Sequence, residues 1–304
     1  MMFPEKTETH STLDHRPPFL TRFLHEQFRS LRGLFAKRFP DSPIPVRLRS
    51  GIWWWSRHDD CSQALIAGNF ESTEVSFVHR FLTPGMTVLD IGAHHGYYTI
   101  LASKHVGSQG KVFSFEPSPR ERSALRWNAI LNSRRNIRIQ PLALGDSCGE
   151  TALYVADNFN TGLNSLRAQV VVSDVVPVPI SITTLDSWIA EHPVKNVDFI
   201  KLDVEGGELD VFKGAQQFLS RQPRPVILAE VQDVRTTPWG YRAKEILTFL
   251  ADRQFSWFSL TSEGLLEELN LDSEDFEGNF VAWPNEKGRP PAHLMKGIQE
   301  QVRR

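Results

Sequence analysis

Cysteine is scarce, with only Cys61 and Cys148 in a chain of 304 residues. Two thiols are too few for a disulfide framework or a cysteine-based zinc site, so a reducing compartment, the cytoplasm, is expected. Long hydrophobic runs are missing too. No stretch reaches the roughly 18 apolar residues that a spanning helix needs. Met1 to Pro18 is polar and has no apolar core of the kind a secretory leader carries. Neither sign of charge is in excess: 34 Lys+Arg face 36 Asp+Glu. That balance argues against a whole-protein field for nucleic acid. The imbalance is local, because residues 1–50 hold nine bases against five acids. With 40% hydrophobic and 23% charged residues the chain is neither disordered nor fibrous, and no internal repeat interrupts it.

Residues 1–18 read as a tail. Residues 19–39 read as a basic amphipathic helix: Leu20, Phe23, Leu24, Phe28, Leu31, Leu34 and Phe35 recur at three- and four-residue steps, with Arg22, Arg29, Arg32 and Lys37 largely opposite. Such a helix packs on the main body or a second subunit, or makes peripheral contact with an anionic membrane. An aromatic pre-domain segment, residues 46–75, contains Trp53-Trp54-Trp55 and a helix ending near Gly68. His58-Asp59-Asp60 has metal-like composition but reads as a surface turn. From Val75 to about residue 284, strands and helices alternate, which predicts βαβ units, a mostly parallel sheet and helices on both faces. Residues 285–304 read as a polar tail. The expected strands include Val88–Ile91, Val112–Phe115, Ile137–Leu142, Val197–Leu202 and Val226–Val231. Thr151–Ala156 and Val178–Ile182 are extra strands, and Phe255–Leu260 with Asn279–Trp283 forms a final antiparallel hairpin. A single helix is expected over Glu208–Leu219.

Ligands of such sheets bind at the carboxyl ends of the strands, where strand order switches. Three clusters lie at such ends. Asp90-Ile91-Gly92-Ala93-His94-His95-Gly96-Tyr97-Tyr98-Thr99 is a strand, a turn with two glycines, and a helix start. Its G-x-x-x-G spacing is not the dinucleotide fingerprint, and Asp90 would repel a pyrophosphate while holding an ammonium group. Glu116, followed by Pro117, ends the second strand, where an acid accepts hydrogen bonds from ribose hydroxyls. Leu144-Gly145-Asp146 follows the third strand; Asp146 suits an adenine amino group and Leu144 the ring face. Together these describe a nucleoside joined to an amino acid, and S-adenosylmethionine fits.

The pieces DIGAHHGYYTI (90–100), FSFEPSP (113–119), LALGD (142–146), NTGLNSL (160–166), TTLDSW (183–188), VDFIKLDVEGGELDVFKGA (197–215) and VILAEV (226–231), in that order, resemble the FkbM-like family of S-adenosylmethionine-dependent methyltransferases. The resemblance implies a Rossmann-like seven-stranded sheet whose last strand is antiparallel. It also implies Asp90, Gly92, Ala93 and Gly96 at the methionine part, Glu116 at the ribose, Asp146 at the adenine edge, and Glu71 of GNFE closing the site. His94 and His95 stand where the family favours an asparagine and a small apolar residue. The family is associated with hydroxyl methylation on sugars and natural products, so the expected partner is a small-molecule or glycan acceptor.

A hydroxyl attacks better once its proton is removed, by a base or with a metal's help. Asp203 and Glu205 follow the fourth core strand. Lys201 shares a strand face with Asp203, and a salt bridge between them would weaken Asp203 as a base. His94 and His95 are alternative bases. Asp203, Glu230 and Asp233 are a possible oxygen-rich site for a divalent metal. Trp53–Trp55 and Asn160–Leu166 cap the substrate side or simply pack the core. Two other functions fit less well: a nicotinamide-dependent oxidoreductase on a similar fold, and a non-catalytic cofactor-binding scaffold.

Overall fold

A computed structural model describes residues 43–157, 159–167, 175–192 and 194–297. The chain divides into two compact units, residues 1–44 and 45–304. The helix expected over residues 19–39 and the last seven residues of the C-terminal segment lie outside the described residues.

Strands β1 (Ile44–Arg47) and β2 (Trp53–Ser56) pair as a small sheet. Helices α1 (Asp60–Ala67) and α2 (Ser72–Phe81) follow. The chain then alternates through β3 (Thr87–Ile91), α3 (Tyr97–Val106), β4 (Lys111–Phe115), α4 (Pro119–Leu131) and β5 (Ile137–Gln140). A separate three-stranded sheet holds β6 (Ala143–Leu144), β7 (Gly149–Val155) and β8 (Val176–Thr183). Alternation resumes with α5 (Leu185–Glu191), β9 (Phe199–Leu202), α6 (Glu208–Lys213), α7 (Gln216–Ser220), β10 (Val226–Gln232), α8 (Asp233–Thr236) and α9 (Ala243–Ala251). It ends in β11 (Phe255–Leu260), β12 (Leu266–Glu268) and β13 (Glu277–Pro284).

The central sheet runs β12-β11-β13-β10-β9-β3-β4-β5. The steps from β10 through β5 are parallel, and β13 enters antiparallel between β10 and β11. This is the expected mostly parallel α/β Rossmann-like architecture with an antiparallel last strand, but with eight strands rather than seven. The eighth, β12, is three residues that fold back on β11 through the Gly264 turn, too short to show a period in sequence. Every residue of β9 is buried, as a strand covered on both faces requires.

The helix expected over Glu208–Leu219 is two helices. Gly214 packs so closely on the Gly145 carbonyl that a Cβ would lie 1.9 Å from that oxygen, and α6 stops there. The segment after residue 285 is not a free tail as far as residue 297: Leu294 and Met295 are buried, and Met295 bridges Leu266. His58-Asp59-Asp60 is not a surface turn. Asp59 is buried and caps α1 by accepting from the Ser62 amide at 2.6 Å. Among the described residues no helix is long and apolar enough to cross a membrane.

Candidate functional site

The chain winds from β3 outward through β4 to β5, then returns past β3 to lay down β9 and β10 on the other side. Adjacent strands β3 and β9 therefore send their following loops in opposite directions and leave a crevice between them. A cavity of about 420 Å³ opens at these carboxyl ends, within the roughly 300–1,000 Å³ usual for small-molecule sites.

The turn after β3 forms its floor. Gly92 has φ +83°, and a Cβ there would fall 1.7 Å from the Asp203 carbonyl oxygen, so only glycine lets β3 and β9 stay paired. Asp90 is buried, accepts from the Thr99 hydroxyl, and is raised by burial to about 6. Thr99 in turn lies 2.8 Å from Ser114 Oγ. Thr99 thus fixes Asp90 from behind without lining the cavity. Gly96 likewise lies outside the cavity wall, against Leu125. Ala93, His94 and Tyr98 do line it. The Tyr98 hydroxyl donates to Glu71 Oε2 at 2.5 Å, which ties the pre-domain segment to the loop.

Glu116, at the end of β4, lines the cavity beside Pro117. Its two oxygens accept from backbone amides, His94 N at 2.7 Å and Ser118 N at 2.8 Å. Burial, then the nearby Glu121, pushes its carboxyl up to about 8 despite those bonds. Each oxygen keeps a second lone pair for a ligand. Leu144 also faces the cavity, whereas Asp146 is exposed in an adjacent groove with Cys148 and Arg167.

Opposite lies a charged cluster at the ends of β9 and β10. Lys201 is 2% exposed and its Nζ lies 3.0 Å from Asp203 Oδ2, the salt bridge expected from their shared strand face. Burial alone would lower the lysine, but Asp203, Glu71 and Glu230 outweigh it and hold it raised. Glu205 pairs with Arg235 at 2.9 Å. Burial, then the negative neighbour Asp203, raises both Glu205 and Glu230 well above the ordinary carboxylate range. Carboxylate oxygens of Asp203, Glu205 and Glu230 lie within 4.8 Å of one another. Asp233 is not with them. It accepts from the Ala243 amide at 3.0 Å and from Arg242 Nε at 3.2 Å, and so holds the start of α9. The oxygen-rich group is therefore Asp203, Glu205 and Glu230 rather than the expected set with Asp233.

His94 and His95 stack with ring centroids 3.8 Å apart. Burial lowers both, which favours their neutral forms. Ligand atoms of the two also lie within 4.8 Å of Glu121. Near-parallel rings cannot both point their nitrogens at one ion, however, and Glu121 is already engaged by Arg120 and Ser118.

The walls come from outside the central sheet. Trp54 is fully buried, donates to Ser62 Oγ at 3.1 Å and meets Tyr97 edge-on, so it serves both core and cavity. Trp53 is exposed and Trp55 stacks on Trp127 instead. From the 160–166 segment, Ser165 donates to the Glu205 carbonyl at 2.8 Å. Trp239 donates to that same carbonyl at 3.2 Å. Arg235 and Trp239 were not singled out from sequence, although they follow a strand's carboxyl end as the others do. Among the described residues, three of the five non-glycine residues with left-handed backbone, Glu71, His94 and Glu205, line this one cavity, the concentration of strain that functional sites show.

The strand order defines a Rossmann-like α/β fold, and the family match makes the chain a methyltransferase. The chain belongs to the family described as the methyltransferase FkbM domain, whose model matches residues 90–256. It is 24% identical over 161 residues to the 2-O-methyltransferase NoeI of Sinorhizobium fredii, covering 47% of this chain and 65% of that protein. It is 28% identical over 180 residues to the 31-O-demethyl-FK506 methyltransferase FkbM of Streptomyces tacrolimicus, covering 50% of this chain and 68% of that one. Among solved structures it is similar to the methyltransferase FkbM of Methylobacillus flagellatus, at 18% identity and a TM-score of 0.42, over 74% of this chain and 55% of that one.

Proposed function

We propose that this chain transfers a methyl group from S-adenosylmethionine to a hydroxyl oxygen of a sugar or natural-product acceptor. The observation that carries the reading is Glu116: a carboxylate fixed by two backbone amides, with lone pairs left over, at the strand end where a ribose lies in this architecture. Family membership supports methyl transfer, and the names of NoeI and FkbM support oxygen as the atom methylated.

The residues present suit the cofactor. Glu116 would hold the ribose hydroxyls, Leu144 the adenine face, and Asp90 with the Gly92–Ala93 turn the ammonium end. The adenine amino group reaches Asp146 only where the ligand extends into the adjacent groove. When bound, S-adenosylmethionine supplies an electrophilic methyl carbon. This chain's part is to bind, align the acceptor oxygen by proximity and exclude water. Trp54, Tyr98 and Trp239 offer apolar surface for a ring, and the acids at the ends of β9 and β10 offer acceptors for hydroxyl groups.

Isothermal titration with S-adenosylmethionine, S-adenosylhomocysteine and NADH tests the reading. Saturable binding of the first two, with S-adenosylhomocysteine formed in the presence of hydroxyl acceptors, is expected. NADH binding alone would sink it, and cofactor binding without turnover across a broad acceptor panel would favour a scaffold.

A further inference from the structure

Seven carboxylates line the cavity: Asp60, Glu71, Asp90, Glu116, Asp203, Glu205 and Glu230. Six are committed. Asp60 accepts from the Cys61 amide, Glu71 from Tyr98, Asp90 from Thr99, and Glu116 from two amides. Asp203 is bound to Lys201 and Glu205 to Arg235. Glu230 differs: its Oε2 is shielded from solvent and has no hydrogen-bond partner among the described residues. A buried polar atom left unpaired is costly, and its persistence calls for an explanation.

Position supplies one. Glu230 lies on β10, next to β9, just where the parallel part of the sheet ends, and it faces the same cavity as the Gly92 turn and Glu116. We propose that Glu230 is the general base that takes the proton from the acceptor hydroxyl; this deepens the methyltransferase reading and rests on it. The acceptor O–H bond breaks with its proton passing to the Glu230 carboxylate. The oxygen's electron pair forms the new bond to the methyl carbon. The carbon–sulfur bond breaks with its electrons staying on sulfur, leaving S-adenosylhomocysteine and the methyl ether.

The charged groups facing Glu230 suit this role. Asp203, Glu205 and Glu208 are negative and favour its protonated form, while Lys201 opposes them. An oxygen that faces the cavity with no partner of its own is free to take the acceptor's proton. Asp203, by contrast, is a positioning residue: it neutralises Lys201.

Three measurements test this on the full chain. First, Glu230→Gln should bind S-adenosylhomocysteine within about threefold of the parent by isothermal titration, yet lose about 10²–10⁴-fold in turnover with methyl glycosides or catechol as hydroxyl probes. Glu230→Asp should recover part of that loss and shift the acidic limb of the pH–rate profile. Unchanged turnover and pH limb in Glu230→Gln would overturn the base, while the methyltransferase reading would survive on the cofactor titration. Second, turnover should persist in EDTA; loss that Mg²⁺ restores would make Glu230 a metal ligand and overturn the base. Third, carboxyl-carbon NMR of the protein without acceptor should show a resonance titrating above the ordinary carboxylate range that Glu230→Gln removes. A Glu230 resonance titrating like a solvated glutamate would overturn the proposal whether or not an acceptor is found.

Discussion

Lys201 and Asp203, two residues apart on one face of β9, form an ion pair of 3.0 Å beneath the cavity, with the lysine almost wholly buried. Removing one partner of a buried pair leaves the other charge uncompensated, typically at a cost of about 3–5 kcal/mol. Lys201→Met should therefore lower the unfolding free energy from urea titration by that order, with a lower midpoint, because Glu71, Asp203 and Glu230 would face one another without their cation. An unshifted midpoint would show that the lysine does not hold these acids together.

Glu116→Ala should weaken S-adenosylhomocysteine binding by about 1–3 kcal/mol, the scale of losing hydrogen bonds to a charged group. Calorimetric titration reads this directly. Parent-like affinity would remove the ribose assignment.

The pH dependence of that residue has a definite sign. Its carboxyl is raised to about 8 from an ordinary 4.5. Between these values the folded chain holds a proton that the unfolded chain has released. The contribution to stability is thus full below about 4.5 and is lost as pH rises towards about 8. Glu116→Gln should flatten this fall in thermal melts. Ribose hydroxyls donate to the anion, so ligand affinity should rise as pH passes through about 8, with a proton released on binding. Calorimetry in buffers of different ionisation heat would measure that proton, and a count of zero across this range would contradict the assignment.

The tryptophans make a paired prediction. Trp54 is fully buried and Trp127 is 50% exposed. Trp54→Ala should cost about 3–5 kcal/mol. Trp127→Ala should cost about 1 kcal/mol or less, the value of its stacking on Trp55. Equal effects in denaturant titrations would refute this contrast between a core and a surface tryptophan.

Much of the candidate site was legible because chemistry and strand ends coincide. Asp90, Glu116, Asp203 and Glu230 each sit within two residues of a strand's carboxyl end, so the reading of strands located them. What stayed hidden depends on packing between distant segments. Asn128 and Asn132 accept from backbone amides of β2, more than seventy residues away, and Asn132 also donates to the Trp53 carbonyl; no local pattern announces such a zipper. Arg235 matters through Glu205, thirty positions earlier in the chain. The break at Gly214 reflects the Gly145 turn pressing on it, a contact that helix propensity does not see.

The cavity has two authors in the chain: the sheet ends carry Asp90, Glu116, Asp203, Glu205 and Glu230, while α1 and residues 161–166 supply further wall. Substitutions in that outer face could redraw the shape offered to an acceptor while leaving β3, β4 and β9 unchanged. Such a layout lets a lineage explore new substrates without rebuilding the part proposed to grip the methyl donor.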